Sequence, residues 1–163
     1  MKALIVSDTH GRHATLEEVL RREKPLDLLI HLGDIVGFED YIESLAECPM
    51  ELVRGNMDRN VLIPRDKEIM VDNMHVLLTH GHLHGVNKTL DRLEMLGLQR
   101  GVDVIMFGHT HVPLLLEERS ITILNPGSIS YPRQEGGKPS YIVMTKERGK
   151  RAHFEIRYLT RSQ

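Results

Sequence analysis

Apolar residues in the first half of the chain form short continuous runs that alternate with segments of helical spacing. Residues 2–7, 27–32 and 50–54 are predicted strands, and the first run is continuous enough to be buried on both faces. Residues 38–46 have apolar side chains at helical spacing. This alternation is typical of parallel strands joined by crossover helices.

A further helix is predicted between the first two strands. Thr15 and Glu18 have the spacing of a capping box, and Leu16 and Val19 then mark one helical face. Pro25 is expected to end this helix.

The second half of the chain is richer in strands. A helix is predicted over residues 88–100, with Gly101 as its C-cap. The predicted strands are 67–71 with 74–79, 102–107, 112–117 with 121–124, and 140–145 with 152–159, where each pair forms a hairpin. The sequence therefore predicts a single α/β domain over residues 1–163 that contains two sheets.

Composition narrows the environment and the partners. The net charge of −2 argues against a surface that binds nucleic acid mainly through its charge. Cys48 is the only cysteine, which fits a reducing compartment, and the apolar run at 3–6 is too short for a signal peptide or a membrane span. We expect a cytoplasmic protein with no membrane association. Leu62, Ile63 and residues 114–116 could form an apolar surface for a homo-oligomer.

Each of five predicted strands ends in side chains that can bind a metal, and a glycine lies beside each group. Ligands of open α/β sheets bind at the carboxyl ends of the strands, where residues distant in sequence converge. One such group alone would most often be an ordinary turn or a hydrogen-bonded histidine, but the joint pattern favours a metal site. The seven candidate ligands are Asp8, His10, Asp34, Asn56, His80, His109 and His111.

The spacing of the paired donors predicts the direction in which their side chains point. Alternate residues of an extended chain point the same way, so His109 and His111 should face one cleft. Asp8 and His10 have the same spacing.

The number and type of these donors favour two divalent ions, either Mn²⁺ or one of Fe²⁺, Ni²⁺, Co²⁺ and Zn²⁺. Cages for Ca²⁺ or Mg²⁺ would use oxygen atoms rather than this many histidines. A pair of such ions can lower the pKa of a shared water and clamp a phosphoryl group. Hydrolysis of a phosphoester, by a metal-bridging hydroxide that attacks phosphorus in line, is the reaction that fits this site.

The motifs DTH (8–10), GD (33–34), GNMD (55–58), THGH (79–82), GHTH (108–111) and NPGS (125–128) resemble those of the calcineurin-like metallophosphoesterases, in the small bacterial and archaeal phosphodiesterase branch. The resemblance implies a four-layer α/β/β/α sandwich of two mixed sheets flanked by helices. Manganese is the metal that we expect.

The resemblance further assigns roles to the ligands. Asp8, His10 and His111 would bind the first metal, and Asn56, His80 and His109 the second. Asp34 would bridge the two ions. Asn56 would also contact the substrate phosphate, and Asp58 would orient a ligand or a leaving-group residue.

One position departs from the family pattern. Many larger relatives have histidine where this chain has Met57, and methionine cannot protonate a leaving group. His82 and His84 are the candidate substitutes, although a hydrogen-bonded loop residue is an equally good interpretation of His84. We therefore expect a preference for good leaving groups.

Three more residues have two interpretations each. Arg12 could contact the substrate phosphate or be a solvated surface residue. Ser128 could help to bind substrate or belong to a purely structural turn. His31, inside a predicted strand, is expected to be hydrogen-bonded beneath the site rather than to act as a ligand.

The leading hypothesis is a phosphodiesterase acting on a small phosphodiester or phosphomonoester. The alternative is a non-catalytic scaffold on the same fold, like the retromer phosphoesterase-like subunit, although that role predicts lost ligands and none is lost here. Nucleic acid is disfavoured as a substrate because the larger nucleases of the superfamily have additional domains.

Overall fold

The computed structural model describes residues 1–117 and 120–160. These residues form ten strands and three helices. In chain order the elements are β1 (Lys2–Val6), α1 (Ala14–Glu23), β2 (Leu28–His31), α2 (Glu39–Ala46), β3 (Met50–Leu52), β4 (Asp66–Val71), β5 (Met74–Thr79), α3 (Asp91–Arg100), β6 (Val104–Met106), β7 (Pro113–Leu116), β8 (Thr122–Pro126), β9 (Ser140–Thr145) and β10 (His153–Tyr158).

The strands form two mixed sheets with the orders β10-β9-β1-β2-β3 and β4-β5-β6-β8-β7. In the first sheet β1, β2 and β3 are parallel, and Val6, His31 and Leu52 lie side by side in the register. In the second sheet β5, β6 and β8 are parallel. In each sheet, three parallel strands therefore have their carboxyl ends on the same side. The loops that follow these strands can converge there.

Side chains of β1 alternate between two cores. Ala3 and Ile5 belong to the core between the sheets, together with Leu78 of the second sheet. Leu4 and Val6 pack in an outer core that includes residues of α1 and α2. A third core lies between α3 and the second sheet. The layers are thus helix, sheet, sheet and helix, which confirms the predicted sandwich.

Two predicted helix starts are wrong. The first helix begins at Ala14 with His13 as its N-cap and no side-chain cap, so Thr15 lies inside the helix and forms no capping box. The third helix begins at Asp91 rather than at residue 88, because the backbone of residues 85–89 forms turns before it. Gly101 is its C-cap with a left-handed backbone, as predicted.

The predicted apolar surface for an oligomer is only partly present. Leu62 is 88% exposed, but residues 114–116 form β7, where Leu115 packs against the core between the sheets. Leu114 and Leu116 pack against the core beneath α3. Residues 118 and 119, in the predicted turn before β8, and residues 161–163 of the predicted domain lie outside the described residues.

Within residues 1–117 and 120–160, none of the helices has the length and the apolar run needed to cross a bilayer.

Candidate metal centre

Five of the seven predicted ligands meet where the parallel strands of the two sheets end. Their donor atoms form two groups in which all atoms lie within 4.8 Å of one another, and Asp8 belongs to both. The groups are Asp8 with His10 and His111, and Asp8 with Asp34 and His80.

Asp8 is the centre of this cluster and is fully buried. Its Oδ1 lies 3.1 Å from His111 Nε2, 3.6 Å from His10 Nε2 and 3.9 Å from His80 Nε2. Burial raises the pKa of the Asp8 carboxyl, but the interactions with His10 and His111 and the charge of His80 outweigh it and hold the pKa well below its usual range. Asp8 is therefore a carboxylate at neutral pH.

The histidines of the cluster are turned so that Nε2 faces the carboxylates. Nδ1–H of His80 donates to the Leu32 carbonyl at 2.6 Å, and Nδ1–H of His111 donates to the Tyr131 carbonyl at 2.7 Å. These contacts orient Nε2 of both rings toward the carboxylates, as in histidines that bind metals, and His111 Nε2 is also hydrogen-bonded to His10 Nε2 at 3.2 Å.

Two buried atoms of the cluster lack hydrogen-bond partners among the described residues, namely Asp8 Oδ1 and His80 Nε2. An unpaired polar atom inside a protein is costly, and a bound cation would satisfy both atoms. The donor set of carboxylates and imidazoles therefore fits a divalent metal.

The paired donors are not arranged as the sequence predicted. Asp8, His10, His109 and His111 have φ values of 59°, 48°, 69° and 60°, so their backbones are left-handed rather than extended. Such conformations are uncommon for residues with a side chain, and they cluster at functional sites. The pairs point to the cluster because tight loops turn them inward, and alternation along a strand is the wrong explanation.

Glycines let the loops approach one another. A Cβ on Gly55 would lie 2.1 Å from Asp34 Oδ1, and one on Gly33 would lie 2.7 Å from His80 Nδ1. These two positions have no room for a side chain beside the ligands.

Asp34 is held by hydrogen bonds from the loop after β3. Its Oδ1 accepts from Met57 N–H at 2.7 Å, and its Oδ2 lies 3.4 Å from His80 Nε2. Burial raises the Asp34 pKa, but His80 and Met57 N–H lower it by a larger amount, so the net shift is downward.

The Asp58 carboxylate accepts from the backbone N–H groups of Asp34, Gly55 and Val36. Asp58 thus positions the Asp34 loop through its backbone.

His109 and Asn56 lie outside the two donor groups. The His109 ring is 5.1 Å from the His80 ring, and its Nε2 is hydrogen-bonded to the side-chain amide of Asn87 at 2.9 Å. Burial lowers the His109 pKa, and the charge of His80 lowers it further. Asn56 is exposed and lies between Gly55, which borders Asp34, and Met57, whose N–H donates to Asp34.

The candidate substitutes for the missing leaving-group histidine differ in position. His82 is half-buried, with its ring 5.4 Å from the His80 ring, and burial lowers its pKa. His84 Nε2 is hydrogen-bonded to Asp66 Oδ1 at 3.3 Å, as expected for a loop histidine. Met57 is 54% exposed.

Ser128, predicted to bind substrate, has a different environment. It is fully buried, and its hydroxyl donates to the Asp8 carbonyl at 2.9 Å while it accepts from Ser130 and Tyr131 N–H. The hydroxyl hydrogen is already used in this contact, which favours the structural interpretation of Ser128 over substrate binding. Arg12 is exposed, with its guanidinium carbon 4.8 Å from the Tyr131 ring centroid.

His31 is fully buried beneath the cluster, and burial lowers its pKa to about 3. Its Nδ1 accepts from Gly33 N–H, and its Nε2 is hydrogen-bonded to Thr9 Oγ1 at 3.1 Å, as predicted for a residue that binds no metal.

Two residues near the cluster have no signal in the sequence. Asn87 contacts His109 from a loop without a recognisable motif, and Tyr131 holds His111 through a backbone carbonyl, which any residue could supply. Asn125 of the NPGS turn donates to the Gly108 carbonyl at 2.8 Å and so shapes the loop that carries His109.

Comparison with known proteins gives the same family for nearly the whole chain. The family model of the calcineurin-like phosphoesterase superfamily domain matches residues 1–149. A probable metallophosphoesterase of Bacillus subtilis (strain 168), YsnB, is 36% identical over 148 residues, which cover 90% of this chain and 85% of YsnB. The phosphodiesterase YfcE of Escherichia coli (strain K12) is 30% identical over 168 aligned positions, which cover 88% of this chain and 86% of YfcE.

The fold is shared more widely than the sequence. The crystal structure of a single mutant of Vps29 from Entamoeba histolytica matches with a TM-score of 0.79 at 22% identity, over 98% of this chain and all (100%) of that chain.

Proposed function

The chain belongs to the calcineurin-like phosphoesterase superfamily, and from that premise we propose that it hydrolyses phosphodiesters with two divalent metal ions. The observation that carries the proposal is the buried cluster in which Asp8 Oδ1 and His80 Nε2 have no hydrogen-bond partner among the described residues. A cluster of donors that the protein leaves unpaired is a binding site for a cation.

The two donor groups support an assignment of ligands to two ions. Asp8, His10 and His111 would hold one ion. His80, His109 and Asn56 would hold the other. Asp34, whose Oδ2 lies 3.4 Å from His80 Nε2 and 3.8 Å from His10 Nε2, would be a ligand of both. Manganese is the proposed metal, and Fe, Ni, Co or Zn suits the same donors.

When bound, a pair of divalent cations lowers the pKa of a shared water and neutralises charge on a phosphoryl group. The protein's part is orientation. The Leu32 and Tyr131 carbonyls hold the rings of His80 and His111, and Asp58 holds the loop of Asp34. Asn56 and Arg12, both exposed, are proposed to contact the substrate phosphate.

Among residues 1–117 and 120–160, we assign no strong acid that would protonate the leaving group. Met57 has no transferable proton, and His82 is proposed to hydrogen-bond the departing oxygen. Burial keeps the pKa of His82 below its ordinary value, which favours a neutral imidazole at neutral pH. Esters of acidic alcohols and phenols are therefore the expected good substrates.

A non-catalytic scaffold on the same fold is the alternative. A scaffold has no need to bury unpaired ligand atoms, which cost stability, so the complete donor set favours the enzyme.

The test is release of p-nitrophenolate from bis(p-nitrophenyl) phosphate in manganese buffer. The wild type should be active and Asp34→Asn should fall to the level of the metal-free control. Asp40→Asn, an exposed acid on α2, is the matched control and should keep full activity. Undiminished activity of Asp34→Asn would overturn the mechanism, and an inactive wild type on every generic phosphoester would favour the scaffold.

A further inference from the structure

A cleft of about 430 Å³ adjoins the donor cluster on the side of His10 and His111. Its outer wall consists of three consecutive residues, Tyr131, Pro132 and Arg133. Binding of the two ions requires none of these three side chains. A group attached to a phosphate at the metal centre would extend into this cleft because His10 and His111 line both.

The outer wall is fixed to the metal centre by its backbone. Tyr131 N–H donates to Ser128 Oγ at 2.7 Å, and the Tyr131 carbonyl accepts from His111 Nδ1–H at 2.7 Å. Arg133 N–H donates to the His111 carbonyl at 3.1 Å. A wall that is already ordered loses little entropy when it binds a ligand.

The side chains of the wall favour a planar and electron-rich group. The Tyr131 ring is 37% exposed and packs edge-to-face with the His10 ring at 5.4 Å. The Arg12 guanidinium lies over the same ring at 4.8 Å. Tyrosine rings and guanidinium planes both stack on nucleobases.

The lining also disfavours other ester groups. Of the five residues around the cleft, none is acidic, and the nearby Asp8 carboxylate lies on the side of the donor cluster, 3.1 Å from His111 Nε2. Pro132 is the only aliphatic side chain among them, and a lipid chain would require a longer apolar wall. A cleft of this size holds one small-molecule group.

We propose that this cleft binds the nucleoside part of a nucleotide phosphodiester, with the base against Tyr131. Arg12 and Arg133 supply positive charge beside it. The inference rests on the proposed function, since it places the phosphate of the same substrate at the metal centre.

The kinetic test uses two substrates with the same leaving group, thymidine 5′-(p-nitrophenyl phosphate) and methyl p-nitrophenyl phosphate. The wild type should favour the thymidine ester by about tenfold in kcat/KM, mainly through KM, because stacking of one base contributes this much or more. Tyr131→Ala should bring the ratio near one, and Tyr131→Phe should restore it. The contacts to Ser128 and His111 use the Tyr131 backbone and survive both changes.

A binding test is independent of turnover. In calorimetric titrations of the manganese-loaded protein, thymidine 5′-monophosphate should bind about tenfold more tightly than methyl phosphate. Tyr131→Ala should remove this preference. If the wild type hydrolysed neither ester, the proposed function would be overturned. The binding preference would still show whether the cleft binds a nucleoside. A wild-type preference near one, or a preference unchanged in Tyr131→Ala, would overturn the nucleoside site.

Discussion

The protein buries two carboxylates in opposite ways. Glu23, at the end of α1, is 6% exposed and accepts hydrogen bonds from Arg157 at 2.9 Å and from Tyr141 at 3.0 Å, and Lys2 Nζ lies 2.9 Å away. Asp8, at the far end of β1 from Lys2, is fully buried with an Oδ1 that has no hydrogen-bond partner among the described residues. Side chains of the protein thus satisfy the Glu23 carboxylate, whereas one oxygen of the Asp8 carboxylate is left without a hydrogen-bond donor among the described residues.

The difference separates a structural charge from a functional one. The Glu23 network ties α1 to β1, β9 and β10, and its residues sit in ordinary helix and strand conformations. The Asp8 cluster has left-handed backbones and imidazole nitrogens as close as 3.2 Å, between His10 and His111. A cation among the donors would stabilise this arrangement further.

The largest expected effect comes from filling the space beside the cluster. Gly55→Ala would place a Cβ 2.1 Å from Asp34 Oδ1, and Gly97→Ala would place one 2.5 Å from Ile105 Cδ1 in the core. We expect Gly55→Ala to weaken manganese binding by about a hundredfold or more, because it displaces a ligand. Calorimetric titration with manganese measures the effect.

Gly97→Ala is the control for crowding alone. It should lower the melting temperature while leaving manganese affinity unchanged, since α3 contributes no ligand. Equal losses of manganese affinity in both variants would mean that the metal site depends on general stability rather than on the close packing of Gly55 against Asp34.

The next effect compares the two carboxylates directly in metal-free protein. Glu23→Gln should lower the free energy of unfolding by ~1–3 kcal/mol, because it removes hydrogen bonds between charged groups. Asp8→Asn should lower it by less, because Asp8 Oδ1 has no hydrogen-bond partner to lose among the described residues and the new amide N–H can donate to an imidazole Nε2. Urea unfolding in the presence of a chelator compares them, and an equal loss in both variants would remove the distinction.

The smallest effect is a dependence on pH. Burial raises the Glu23 pKa, but the hydrogen bonds and charges of Lys2, Arg157 and Tyr141 lower it by a larger amount. The folded-state pKa therefore lies below 4.5. The charged form therefore contributes stability above pH 4.5, and this contribution is lost as pH falls through the lower folded-state value. The difference in unfolding free energy between wild type and Glu23→Gln should be constant near neutral pH and should shrink in acid. A difference that grows as pH falls would contradict this account.

Much of the fold could be predicted because its signals are local. Continuous apolar runs identified the buried strands, and β5 (Met74–Thr79) and β9 (Ser140–Thr145) have the predicted bounds. Gly101 ends its helix as predicted because a left-handed C-cap requires glycine or a close substitute. The capping box at Thr15 failed because the helix begins at Ala14 with His13 as its N-cap, two residues before the predicted cap.

The candidate site could be predicted in its members but not in its geometry. Donors such as Asp8 and His111 stand out by residue type and by the glycine beside them, and the parallel strands bring them together. Their left-handed backbones depend on contacts between loops far apart in sequence, such as Asp8 N–H with the Gly33 carbonyl. Tyr131 and Asn87 act through contacts that have no sequence signature.

The number of metal ions bound per chain tests the central claim most directly. Elemental analysis and calorimetric titration of protein saturated with manganese should give two ions per chain in the wild type. Asp8→Asn should bind fewer, because Asp8 is shared by both donor groups. A wild type that binds one ion or none at saturation, or an Asp8→Asn variant that still binds two with unchanged affinity, would contradict the account.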